Sequence, residues 1–196
     1  EQIRTQVGPA TFAALYQGNP TPDTGNILPS DQWRYYDQPL WIDDEQGCRY
    51  IPGLLQDEDA EIAQSWDFTF KDTKASDYVV GQVWLRRGVN AYLLDQIRGR
   101  MDFTASCQAM LTMTARWPQA VAKFVEDKAN GPAIINALRM QIGGIIPVEP
   151  TGSKTARARA ISPLQYAGNL WLPSPALAPW VGDFVAEAKQ FPHGKN

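Results

Sequence analysis

The segment Tyr78-Val-Val-Gly-Gln-Val-Trp-Leu85 is apolar on both of its alternating faces. A strand of that kind belongs in the middle of a sheet covered on both sides. Its neighbours in sequence also read as strands. Ile62-Ala-Gln-Ser-Trp-Asp-Phe-Thr-Phe70 precedes it, and Ala91-Tyr-Leu-Leu-Asp-Gln-Ile-Arg98 follows the turn Arg86-Arg-Gly-Val-Asn90. Such short connections give antiparallel pairing. The period then changes. Phe103, Cys107, Met110, Thr114 and Trp117 fall at helical spacing, with Asp102 able to cap the start and Pro118 just past the end. Lys123-Phe-Val-Glu126 is a fourth strand. A helix opens at Asn130-Gly-Pro132, runs through Ile134, Ile135, Leu138 and Ile142, and closes at Gly143-Gly144. Ile145-Ile-Pro-Val148 is a fifth strand, and Asn169-Leu-Trp-Leu172 a short one near the end. A basic helix start spans Ser153 to Ala160, and a last helix begins near Pro179. Strand-helix-strand crossovers require parallel pairing. The prediction is an α/β fold with a mixed sheet and helices on both faces. Residues 1–60, dense in turn signals such as Gly18-Asn19-Pro20 and Pro52-Gly53, read as an irregular N-terminal arm.

Composition narrows the function classes. The chain has 196 residues, 18 basic and 21 acidic, for a formal net charge of −3. A bulk basic footprint is absent, so any nucleic-acid contact must come from a local patch. No apolar run approaches the roughly 18 residues of a membrane span, and Glu1-Gln-Ile-Arg4 does not read as a signal peptide. Cys48 and Cys107 are too few for a zinc knuckle, and the single histidine, His193, argues against a His-based triad. Gly143-Gly144 and Gly152-Ser-Lys154 lack the phosphate-loop pattern, so ATP hydrolysis is not expected of this chain. Of the seven tryptophans, Trp84, Trp117 and Trp180 sit on core faces by periodicity.

Carboxylates remain. Asp67 lies inside the first strand between Trp66 and Phe68, where a charge is costly unless paired or bound to a cation. Glu126 ends the fourth strand, the position at which α/β sheets place ligand sites. On adjacent strands these two would hold Mg²⁺ or Mn²⁺ through oxygen ligands. The alternative is that Asp67 caps a turn or pairs with an arginine, while Glu126 serves the following helix. Asp77, Asp95 and Asp127 are weaker candidates. Asp95 is either turned to the site or ion-paired, and Asp127 is expected to cap the next helix. Lys154 and Arg157 share one face of a helix that Ser153 can cap, which suits either phosphate binding or a solvated surface. Arg86, Arg87, Arg98 and Arg100 add positive charge around the second hairpin and could track a DNA backbone.

Taken in order, the motifs resemble the C-terminal nuclease domain of the large terminase subunit of tailed bacteriophages. Phe12-Ala-Ala-Leu-Tyr-Gln-Gly-Asn-Pro20 is similar to the segment joining that family's ATPase motor to its nuclease. Ser65-Trp-Asp-Phe-Thr-Phe70, Ser76-Asp-Tyr-Val-Val-Gly81 and Tyr92-Leu-Leu-Asp95 resemble its first catalytic strand and hairpin. Phe124-Val-Glu-Asp-Lys-Ala-Asn-Gly131 resembles its second catalytic motif, and Gly152-Ser-Lys154 with Arg157 its basic motif. Asn169-Leu-Trp-Leu-Pro173, Pro179-Trp180 and Phe191-Pro192 complete the order.

The resemblance implies an RNase H-like fold and a two-metal, Mg²⁺- or Mn²⁺-dependent endonuclease that cuts concatemeric double-stranded DNA during genome packaging. It implies that Asp67 and Glu126 are catalytic metal ligands and that Lys154, Arg157 and Lys128 contact DNA. Residues 1–60 would then be a linker from an ATPase domain, and 61–196 the nuclease domain. The implied partners are the portal, the small terminase subunit and the protein's own ATPase domain. The implied setting is the cytoplasm of the infected host, with no membrane. The family's third metal ligand comes from an acidic pair after the Phe-Pro motif. This sequence reaches only Phe191-Pro-His-Gly-Lys-Asn196, so that acid is expected outside it, with His193 the one nearby substitute. Asp183 and Glu187, four apart, read as a solvated face. Two other readings stand beside this one: a resolvase- or transposase-type nuclease on the same fold, and a non-catalytic module docking DNA or the portal.

Overall fold

The computed structural model describes residues 27–68 and 78–192. The segment from Phe12 to Pro20, Asp77 and His193 lie outside the described residues. The strands are β1 (Arg34–Tyr36), β2 (Ile42–Asp43), β3 (Arg49–Tyr50), β4 (Ala60–Phe68), β5 (Val79–Arg87), β6 (Asn90–Gly99), β7 (Ala122–Glu126), β8 (Ile145–Val148) and β9 (Leu170–Pro173). The helices are α1 (Phe103–Arg116), α2 (Gly131–Leu138), α3 (Lys154–Tyr166) and α4 (Val181–Gln190). They form two compact units, Gln38–Pro150 and a second made of Glu1–Asp37 with Thr151–Asn196.

In the first unit the strands run β6-β5-β4-β7-β8, antiparallel from β6 to β4 and parallel from β4 to β8. This is the mixed sheet that the strand order required. One face is buried: Ile62, Trp66 and Phe68 of β4 and Val79, Val83 and Leu85 of β5 pack with Met110, Met113, Trp117, Ile134, Leu138 and Ile142. The Trp66 and Phe68 rings stack at 5.1 Å, and Gly81 opposite leaves the space that the Trp66 indole fills. Asp102 caps α1 as expected, accepting from the Ala105 amide at 2.8 Å. Of the three tryptophans expected in cores, Trp117 is fully buried, whereas Trp84 and Trp180 are half-buried.

A bulge in β6 decides where its polar residues go. Val83 faces Asp95, but Trp84 faces Leu93, so Leu94 is the extra residue. One inserted residue reverses the alternation of everything beyond it. Without it, Asp95 would oppose Gln82 and share a face with Asp67. With it, Asp95 turns to the helix side and is buried. There it accepts from Trp117 Nε1 at 2.9 Å, Arg116 at 3.1 Å and Arg49 at 3.2 Å. Arg49 also lies over the Trp41 ring, so this one carboxylate ties the β2–β3 hairpin and the end of α1 to the sheet. Of the two readings of Asp95, the ion pair is the one realised.

Other expectations need correction. The segment 34–36, read as part of an irregular arm, is a strand parallel to β9 in the second unit. A strand of three residues is too short to show a period, and its partner is distant in sequence. Apart from the short β1–β3 strands and two short 3₁₀ turns, residues 27–59 are irregular as predicted. Helix α2 ends at Leu138, and Ile142 reaches the core through a further turn in which its amide donates to the Leu138 carbonyl at 2.8 Å. Asp127 does not cap α2. The N-cap is Asn130, and the Asp127 amide is spent on the Val148 carbonyl at 2.8 Å.

In the second unit, α3 is capped by Ser153, which accepts from the Ala156 amide at 3.1 Å. Gln165 donates to the Pro29 carbonyl at 2.9 Å, and Trp33 meets Phe184 edge-on at 5.7 Å. Among the described residues no helix is long and apolar enough to cross a membrane.

Candidate active site

Alternation along β4 separates Asp67 from the aromatics on either side of it. Trp66 and Phe68 point into the core, and Asp67, half-buried, projects from the opposite face. The expected conflict between the charge and its neighbours therefore does not arise. β7 runs parallel to β4, with Ser65 beside Phe124 and Trp66 beside Val125. One step further along this register, Asp67 stands beside Glu126, on the same face and one strand spacing of about 4.8 Å away. Both lie at the C-terminal ends of parallel strands, where open α/β sheets bind ligands.

The chain after Glu126 turns sharply. Ala129 adopts a positive φ of 52°, a conformation uncommon outside glycine. Gly131 begins α2 so close to the strand end that a Cβ there would fall on the Glu126 carbonyl oxygen. Sequence reasoning treated Gly131 only as part of a helix opening. Its signal is a glycine directly before the Pro132 of a helix start.

The predicted site residues divide. Asp67, Glu126 and the exposed Lys128, two residues beyond Glu126, belong to one unit. Lys154, exposed, and Arg157, half-buried, lie on the first turn of α3 in the other. Asp183 and Glu187 are both exposed on α4, as a solvated face requires. The four arginines of the β5–β6 hairpin also divide. Arg86 and Arg87, at the turn end, pair with Glu61 at 2.9 Å and Asp57 at 2.8 Å. Arg98 and Arg100 are at the acid end.

Two carboxylates of adjacent strands suit Mg²⁺, which takes one or two protein carboxylates and completes its octahedron with phosphate oxygens and water. Among the described residues no group of three or more His, Cys, Asp or Glu could hold a metal. Cys48 and Cys107 are both free thiols.

A mixed sheet carrying paired acids at the ends of its central parallel strands, with flanking helices, defines an RNase H-like domain. Residues 64–196 match the terminase RNaseH-like domain family, and the chain belongs to that family. The fold is shared with solved structures of low identity. The large terminase nuclease of thermophilic phage G20c with bound magnesium has a TM-score of 0.56 at 15% identity, over 89% of this chain and 85% of that one. A complete large terminase of another thermophilic bacteriophage, in complex with ADP, has 0.62 at 8%, over 94% of this chain and 42% of that one. The Thermus phage P74-26 large terminase nuclease domain has 0.54 at 15%, over 88% and 81%. The G20c nuclease has also been solved with zinc and with cobalt. No curated protein sequence matches this chain.

Proposed function

We propose that this chain is the metal-dependent DNA endonuclease part of a viral large terminase, cutting concatemeric double-stranded DNA during genome packaging. The observation that carries this reading is the register that sets Asp67 beside Glu126 at the ends of β4 and β7. The two carboxylates would hold Mg²⁺ or Mn²⁺. When bound as a pair, such ions polarise a phosphodiester, activate a water and stabilise the departing oxygen. Asp67 and Glu126 concentrate negative charge where cations are needed. Their strand positions hold them without loop motion. Lys128 beside them, and Lys154 with Arg157 on α3, bind backbone phosphates and orient the duplex.

We further infer that residues 1–60 link this domain, residues 61–196, to an ATPase domain of a longer protein. The match covers 42% of the ADP-bound phage large terminase, which supports this. Portal and small terminase subunit would be partners of that longer protein, in the cytoplasm of the infected host. The family match favours this reading over a resolvase or transposase. A non-catalytic docking module is the second reading, favoured by the lack of a third acid among the described residues.

Cleavage of supercoiled plasmid with Mn²⁺, with EDTA, and with Asp67→Ala tests the proposal. Mn²⁺-dependent cutting that the variant loses supports it. Cutting by the variant at the wild-type rate overturns the role of Asp67. DNA binding without cutting by the chain favours the docking module.

A further inference from the structure

We propose that Arg98 and Arg100, gathered on the ring of Tyr78, form a clamp for a phosphate flanking the one to be cut. The proposal rests on the nuclease reading above and deepens it, because it assigns a binding position that the paired acids alone do not supply.

Register places the clamp. Asp67 opposes Val80, and Val80 opposes Arg98, so the three stand in a row on one face of the sheet. Arg98 is two strands from Asp67, about 10 Å at ordinary strand spacing. The bulge at Leu94 brings this about, since a regular β6 would put Ile97 opposite Val80. The Arg98 guanidinium carbon lies 3.5 Å from the centre of the Tyr78 ring, and that of Arg100 lies 5.3 Å from it. Tyr78 and Arg100 are exposed.

The chemistry points to an anion. A guanidinium lying over an aromatic ring gains cation–π energy and loses rotamer freedom in advance. Its N–H edge remains in plane and matches two oxygens of one phosphate. Two like charges on a single ring repel each other, and an anion at their edges relieves the repulsion. A duplex strand presents a phosphate about every 3.4 Å along its axis. A point about 10 Å from Asp67 therefore meets a phosphate about three nucleotides from the cut. The other two arginines of the hairpin differ: Arg86 and Arg87 lie at the far end with carboxylate partners.

The test uses the whole chain carrying Asp67→Asn, which keeps the DNA intact, and follows binding to a short duplex by anisotropy across a salt series. Arg98→Gln with Arg100→Gln should weaken binding about tenfold and flatten the slope of log affinity against log salt by about one to two units. Arg86→Gln with Arg87→Gln removes the same charge at the far end and should leave the slope unchanged. Arg100→Gln alone, at an exposed position, should flatten it by about one unit without bearing on folding. Equal slopes in the two double variants, or an unchanged slope in Arg100→Gln, overturn the clamp. Cleavage of the same duplex by the Asp67 chain with Mn²⁺ is measured in parallel. Cutting with an unaltered slope overturns the clamp alone. A flattened slope without cutting supports the clamp and overturns the nuclease reading.

Discussion

Gly131 lies against the backbone of Glu126 so closely that a methyl group at 131 would overlap the Glu126 carbonyl oxygen. The first residue of α2 thus sets the position of the last residue of β7, and with it one of the two acids.

Gly131→Ala should therefore act on the site. The neighbour it meets is backbone and cannot swing aside, so the end of β7 must move. A misplacement of about 1 Å in a reacting constellation costs on the order of 100-fold in rate. Plasmid cleavage should fall by about that factor while circular dichroism remains native. Wild-type cleavage by this variant would show that the Glu126 position is not critical.

Asp95→Ala separates stability from chemistry. It strips a buried carboxylate from Arg49, Arg116 and Trp117 on the face opposite Asp67. Breaking a buried pair costs about 3–5 kcal/mol. The arginines are partly exposed, which places the expected loss at the lower end, about 3 kcal/mol in urea unfolding. Calorimetric titration with Mn²⁺ on the folded variant should match wild type. A lost titration would return Asp95 to the metal site.

Lys123 gives the fold a pH dependence. Its side chain is buried on the core side of β7, donates to the Val121 carbonyl at 3.1 Å, and is pushed below the usual lysine range by desolvation. In the window between this lowered value and the ordinary 10.5, the unfolded chain binds more protons than the folded one. Stability on this account rises with pH across that window, and the burial cost is full below it. Lys123→Met should be more stable than wild type by about 1 kcal/mol at neutral pH. That advantage should shrink as pH approaches 10.5, the ordinary lysine value. An advantage independent of pH would assign the gain to packing.

Lys154→Ala tests the basic helix start. If Lys154 meets a phosphate, the variant should lose about 0.9 units of slope in log affinity against log salt. An unchanged slope would make Lys154 a solvated residue of the first turn of α3.

Much of the fold was legible because its signals are local. The apolar run from Val79 to Leu85, the cap at Asp102 and the Gly88-Val89 turn each involve neighbours in sequence, and each was found where expected. β1 was not legible. Its three residues owe their conformation to β9, about 137 positions later, and nothing in Arg34-Tyr-Tyr36 announces that partner. The same limit governs the polar residues of β6. Period two alone would put Asp95 on the face of Asp67 and Arg98 on the other, but the Leu94 bulge exchanges them.

The sequence by itself determined which residues could do chemistry. With one histidine and two cysteines, it left carboxylates, and it set Asp67 within a strand and Glu126 at a strand's end. Only the tertiary structure decided that these two stand side by side, that Asp95 is spent on Arg49 and Arg116, and that Arg98 shares the face of Asp67. The reason is physical: residue type and period are properties of short stretches of chain. Register between distant strands is chosen by the packing of the whole sheet, and a one-residue difference in it reverses which side chains meet.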